Sequence, residues 1–240
     1  NRSVLLSLAN HKSLKAANYA VLHFDSPDPR GIDVALLYNQ TLVEVLFASP
    51  IKVRLENSRT RDILYAKVLV AQKDTLHLFV NHWSSRSGGQ QESEHKRVAA
   101  AKTVKHVTDS ILLTQKNANI LLMGDFNDAP KDASLQMLCN PNNPQPFTNL
   151  TSTSPATSGP PKYNGAWDHL HQLLLSPASP QGKSGLALVN KTAFVFSQDF
   201  LLEADDRYGD VYPKRTWKGD IFVGGYSDHL PVFCDLSFKK

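Results

Sequence analysis

A mixed α/β fold of two packed, mostly antiparallel sheets with helices outside, a four-layer α/β sandwich, is what this sequence predicts. Three observations carry that expectation. Short segments rich in β-formers recur along the 240 residues. Helical segments are interposed among them. A hydrophobic content of 41% is enough for one sizeable core. No internal repeat or interdomain linker breaks the chain, so one domain over residues 1–240 is expected.

The strand segments, in order, are 19–24, 32–38, 63–70, 76–83, 120–123, 173–175, 192–196 and 230–238. Between the fourth and fifth, from about residue 93 to 115, Ala100, Val104, Val107 and Ile111 recur at helical spacing. The cations of that helix, Lys96, Arg97, Lys102 and Lys105, read as a solvated outer face. A shorter helix is expected after Pro130, ending near Cys139. Residues 140–146 and 151–161, rich in Pro, Asn, Ser and Thr, read as surface loops.

The net charge of +4 suits a polyanionic partner without demanding one. No apolar run approaches a membrane span, and no signal peptide is visible. Because the first residue is Asn1, upstream sequence is expected to have been removed, which leaves a secreted or periplasmic location open. The two cysteines, Cys139 and Cys234, match no metal spacing and read as buried free thiols. A monomer is the default.

Chemistry gathers at the strand ends. In "NANILLMGDFNDAP" the apolar run Ile120 to Met123 stops at Gly124, and Asp125, Asn127 and Asp128 follow at once. In "TLHLFVNHWSSR" Leu76, Leu78 and Val80 share one strand face, and period two places His82 on it. In "GGYSDHLPVFCDL" Asp228 has the parity of Leu230, Val232 and Cys234, with His229 beside it. In "RGIDVALLY" Asp33 opens an apolar strand on the face of Ala35 and Leu37. Asp125-x-Asn127-Asp128 also suits a hydrogen-bonded turn, and it is no EF-hand, because Ala129 and Pro130 stand where a ligand and a glycine belong. If the ends converge, they form one polar pocket at the rim of the sandwich.

"VNHWSSR", "LLMGDFNDAP" and "GGYSDHLPVF", in that order, resemble the endonuclease/exonuclease/phosphatase superfamily, which includes deoxyribonuclease I and exonuclease III, and most closely its bacterial branch. The resemblance implies cleavage of phosphate esters with Mg²⁺, or with Mn²⁺ or Ca²⁺. It implies that Asp125 and Asn127 bind metal and position the phosphate or the attacking water. Asp228 would help to hold metal or orient His229, and His229 and His82 would flank the scissile phosphate. Asp33 resembles the acidic residue that orients the first histidine. Arg61 and Arg86 resemble phosphate-contacting arginines.

Two departures from the pattern stand out. His171, in "WDHLHQLLLS", occupies a position where the superfamily ordinarily has an aspartate, and Asp168 lies three residues earlier. The superfamily's metal-binding glutamate precedes a segment similar to "NRSVLLSLAN", so that glutamate and the strands before it are expected to lie upstream of this chain.

In "YGDVYPKRTWKGD", Arg215 and Trp217 stand among interleaved basic and aromatic side chains, as suits a loop that stacks bases and grips phosphate; a solvated loop fits the pattern equally. The chemistry explains the residue types. A hard cation on carboxylate and amide oxygens steadies charge on an anionic ester. A histidine activates water or donates to phosphoryl oxygens, and arginine offers a planar fork. The expected activity is divalent-metal-dependent phosphodiester hydrolysis, with nucleic acid as the leading substrate. Its rivals are a phosphatase or phospholipase and a catalytically silent phosphate-binding domain.

Overall fold

The computed structural model describes residues 1–153, 162–163, 165–179, 185–190 and 192–238. Its elements in chain order are α1 (Arg2–Ala9), β1 (Tyr19–His23), β2 (Ala35–Asn39), β3 (Val43–Ile51), β4 (Ile63–Val70), β5 (Asp74–His82), α2 (Gln90–Thr114), β6 (Asn119–Asp125), α3 (Ala133–Cys139) and β7 (Thr148–Asn149). Then follow the ladder β8 (Lys162–Tyr163) and β9 (Ala166–Trp167), the longer β10 (His171–Leu175), β11 (Leu186–Leu188) and β12 (Phe194–Val195). The last strands are β13 (Leu202–Asp205), β14 (Asp210–Pro213), β15 (Trp217–Lys218), β16 (Ile221–Phe222), β17 (Val232–Phe233) and β18 (Leu236–Phe238).

The centre is a six-stranded sheet in the order β3-β4-β5-β6-β10-β7. All neighbours run antiparallel except β5 and β6. A parallel pair needs a long crossover, and α2 supplies it. Both faces of the sheet are covered, which is why its strands are almost continuously apolar. On one face Ile63, Phe79, Ile120, Leu122 and Leu174 pack with Ala101, Val104 and Leu112 of α2 and Leu135 and Leu138 of α3. On the other, Leu64, Ala66, Leu78, Leu121, Leu173 and Leu175 pack with Leu22, Leu36, Val232, Leu236 and Phe238. That second layer is built from two-stranded ladders: β1-β2, β11-β18 and β12-β17. The fold is thus mixed α/β with few helices. Among the described residues no helix is long and apolar enough to cross a membrane.

Three differences from expectation have physical reasons. Strand β3 was not anticipated, because Pro50, Glu44 and Ser49 interrupt its apolar pattern and a bulge between Val45 and Phe47 shifts its register. It lies at the sheet edge, where a proline removes no ladder bond that matters. Segment 230–238 is two strands, with Cys234 and Asp235 between them, because β17 pairs with β12 while β18 pairs with β11. Arg97 does not lie on a solvated face: it is fully buried. Part of the loop 151–161 falls outside the described residues. Both cysteines are free and half-buried.

One glycine is imposed by the parallel seam. Gly124 faces Asn81 across β5 and β6. A Cβ there would lie 2.0 Å from the Asn81 carbonyl oxygen, and the backbone has φ +132°. We expect Gly124→Ala to destabilise the protein by at least about 2 kcal/mol, from strain and steric displacement together. Urea unfolding measures it, and a loss below 0.5 kcal/mol (about the scatter of neutral surface changes) contradicts the close approach.

Candidate active site

Three side chains stand in one rank across three hydrogen-bonded strands. His82 of β5 is the register partner of Asp125 of β6, and Asp125 is the partner of His171 of β10. All three share the parity of residues that face the second layer (Leu78, Leu121 and Leu173), so they project to one side. His82 Nε2 lies 3.8 Å from Asp125 Oδ2. Their end of the sheet opens into a cavity of about 350 Å³ lined also by Gln172 and Val232.

His229 arrives from the second layer. Its Nδ1 lies 2.6 Å from His171 Nε2, a hydrogen bond in which either ring can be the donor according to tautomer. The rings are 4.7 Å apart. Asp228 is mostly exposed, with a carboxylate oxygen 4.0 Å from His229 Nε2. The approach of His229 is set by tight backbone contact upstream. Tyr226 N–H donates to the Lys214 carbonyl at 2.7 Å and Gly225 N–H to that of Arg215 at 3.1 Å. A Cβ on Gly225 would sit 2.1 Å from the Arg215 carbonyl oxygen.

The loop after β6 is held from within. The Asp125 carboxylate accepts from Asn127 N–H at 2.8 Å, and Asn127, at φ 51°, sits in the left-handed conformation that asparagine tolerates. The Asn127 side-chain amide donates to the Trp83 carbonyl at 3.0 Å, which ties this loop to the one after β5. Asp128 is fully buried, accepting from Arg97 Nε and from Ser134 Oγ, each at 2.6 Å. Arg97 in turn donates to Ser93 Oγ and the Gln90 carbonyl.

The arginines expected at phosphate are spent on structure. Arg61 is buried and donates to the carbonyls of His82 and Trp83 and to Asp28, at 2.7, 2.6 and 2.6 Å. Arg86 donates to the Asn127 carbonyl, Asp168 and Asp132. Asp33 accepts from Ser26 N–H and lies 3.0 Å from His23, so its partner is His23 rather than His82. Arg215 lines a different cavity, of about 390 Å³, with Tyr208 and Lys218, and Trp217 is exposed against Phe222. The inward-facing Arg97 and the pairing of His171 with His229 escaped sequence reasoning. The signal for the first was the heptad Gln90-Ser93-Arg97 on one helix face.

The electrostatics favour a cation. Burial pushes the Asp125 carboxyl up, against the Asn127 N–H and His229, so an ionised Asp125 gains from a nearby positive charge. Burial, ahead of the Arg61 charge, pulls His82 down to about 4. Burial, reinforced by His229, pulls His171 to about 3. Both imidazoles are therefore neutral at pH 7, the form that ligates metals. Ligand atoms of Asp125, His171 and His229 all lie within 4.8 Å of one another. One carboxylate with two imidazoles fits Mn²⁺ or Zn²⁺ better than Mg²⁺, which prefers oxygen.

A mixed α/β fold with this cluster at its strand ends suits hydrolysis of a charged ester. The chain belongs to the endonuclease/exonuclease/phosphatase family, whose model matches residues 1–238, and it therefore falls among phosphoester hydrolases. Similar solved structures include the human Nocturnin catalytic domain with bound sulfate anion, at 17% identity and TM-score 0.59 over 95% of this chain and 76% of that one. Another is a mannosyl-6-phosphatase of Bacteroides thetaiotaomicron, at 14% and 0.59 over 96% and 82%. A third is D. rerio TDP2 complexed with single strand DNA product, at 14% and 0.56 over 98% and 82%. At these identities the likeness is one of fold. A comparison with curated protein sequences finds no match.

The buried Arg97–Asp128 pair generates a stability prediction. Arg97→Met leaves Asp128 with its hydrogen bond from Ser134 and with the Arg86 guanidinium at 3.9 Å. Breaking such a pair costs about 3–5 kcal/mol. Thermal and urea unfolding of the variant measure the loss, and a change under 1 kcal/mol (roughly an exposed pair's worth) shows the pair to be dispensable.

Proposed function

We propose that this protein is a divalent-metal-dependent phosphodiester hydrolase with nucleic acid as its leading substrate class. The single observation that carries the reading is the rank His82–Asp125–His171, with His229 closing on it from the second layer. A divalent ion held by Asp125 and His171 would supply polarisation of the P–O bond and relief of developing charge, and would leave His229 free for proton transfer. The protein's own groups do the rest. His82 and His229 flank the phosphate. His82, neutral, donates a hydrogen bond to a phosphoryl oxygen. His229, beside Asp228, takes a proton from the attacking water or returns one to the leaving oxygen. Asn127 positions the phosphate or the water, and its amide nitrogen is fixed by Trp83. Arg61 and Arg86 act as positioning residues that hold the two loops.

Assays on plasmid DNA beside a panel of soluble phosphoesters, including sugar phosphates, test the substrate class. Cleavage of sugar phosphates alone overturns the nucleic-acid reading, and binding without turnover overturns hydrolysis. We expect Asp125→Asn and His229→Ala each to lose about 10²–10⁴-fold in turnover, the range of a positioned acid or base. Losses below tenfold in both, with unfolding curves unchanged, remove them from the chemistry.

His171→Asp is expected to shift metal preference from Mn²⁺ towards Mg²⁺, because it exchanges an imidazole for an oxygen donor. Rates of both proteins in each metal decide the point. Identical metal profiles make His171 a structural group.

A further inference from the structure

A second polar cavity opens immediately beyond His82. It has a volume of about 280 Å³, and its walls include Arg30, Arg59, Arg61, Lys96 and the hydroxyls of Ser84, Ser85 and Ser87. Its nearness to the site is fixed by bonds. Ser84 follows His82 by two residues, Arg61 donates to the His82 carbonyl at 2.7 Å, and Thr60 Oγ1 meets Ser84 Oγ at 3.1 Å. The one carboxylate among its described lining residues, Asp28, is buried and spent on Arg61 at 2.6 Å and on Arg30 at 3.5 Å. Arg59 and Lys96 have no ionic partner among the described residues. Cations in excess, beside several hydroxyl donors, describe a receptor for a tetrahedral oxyanion.

The cavity also continues. Arg59 lines a neighbouring cavity of about 570 Å³ and Lys96 one of about 690 Å³. A single phosphate monoester needs neither. Those neighbours also carry carboxylates, Asp25 with Asp62 in the first and Glu56 in the second, so the phosphate position itself is the hydroxyl-lined cavity between them.

We propose that this cavity is a subsite for a second, non-scissile phosphate of a nucleic-acid strand, with Arg59 and Lys96 as its free phosphate-binding cations. The proposal rests on the phosphodiesterase reading and adds to it: the substrate is a polymer that crosses the rim at His82 and runs on towards α2. A concave wall of hydroxyls favours a strand over a lipid surface, which calls for a convex face with apolar side chains to insert.

The test is binding without turnover. Anisotropy of a fluorescein-labelled single-stranded oligonucleotide, in EDTA and across a KCl series, reads the number of phosphate contacts from the slope of log K against log salt. We expect Arg59→Ala with Lys96→Ala to weaken binding about tenfold at low salt and to make the slope shallower by about 1.4, since each contact to a single strand contributes about 0.7. Lys102→Ala, an exposed cation of α2 outside the three cavities, is expected to leave the slope as it is. Melting temperatures of all variants verify folding. An unaltered slope in the double variant, no oligonucleotide binding by the parent protein, or binding to phosphatidylserine vesicles in preference to the oligonucleotide overturns the subsite. Failure of the hydrolase reading is separately visible, as no turnover of any phosphoester.

Discussion

The parallel seam between β5 and β6 is the constraint on which the rest of the molecule depends. Asn81 and Gly124 meet there backbone against backbone, and one residue further on the same register sets His82 opposite Asp125. The two strands end together, so their loops leave the sheet side by side. Trp83 N–H donates to the Asp125 carbonyl at 2.9 Å and continues the ladder one step into those loops. Sites in α/β proteins commonly form outside the carboxyl ends of parallel strands, because neighbouring loops diverge from that edge. In this sheet the antiparallel β10 adds a third polar side chain, His171, to the same edge.

Arginine is the means by which the loops are kept in place. Arg61 grips the carbonyls of His82 and Trp83, Arg86 that of Asn127, and Arg97 that of Gln90. Each also reaches a carboxylate: Asp28, Asp132 with Asp168, and Asp128 respectively. A planar fork bonding backbone and carboxylate at once fixes a loop in orientation as well as position. Removing such ions from water is costly, and only full hydrogen bonding makes it tolerable. Groups held this way lose little entropy when a ligand is bound, which suits a site that must be organised before its substrate arrives.

Much of the sheet was legible in the sequence because its signal is local. Strand β4 has the bounds its composition suggests, and period two put His82 on the core-facing row that it occupies. Asp125 was legible for the same reason, as the polar end of a buried run. What was hidden depends on partners far along the chain. Arg97 turns inward because Asp128, which lies 31 residues later, is beneath it. Asp33 finds His23 and not a site histidine, since β1 and β2 are paired and bring those two ends together. His171 and His229 are 58 residues apart, and nothing in either local pattern announces their contact. Edge strand β3 was obscured by the very features, a proline and a bulge, that equip it for an edge.

The contact at Gly225 has a mechanical meaning. Two strips of backbone, at Lys214–Arg215 and at Gly225–Tyr226, are pressed together with no side chain between them to yield. The aromatic hairpin β15-β16 hangs from one end of this clamp, and His229 follows from the other. A rigid joint transmits displacement where a padded one absorbs it. The clamp therefore fixes both the root of the hairpin and the point from which the chain sets out towards His229.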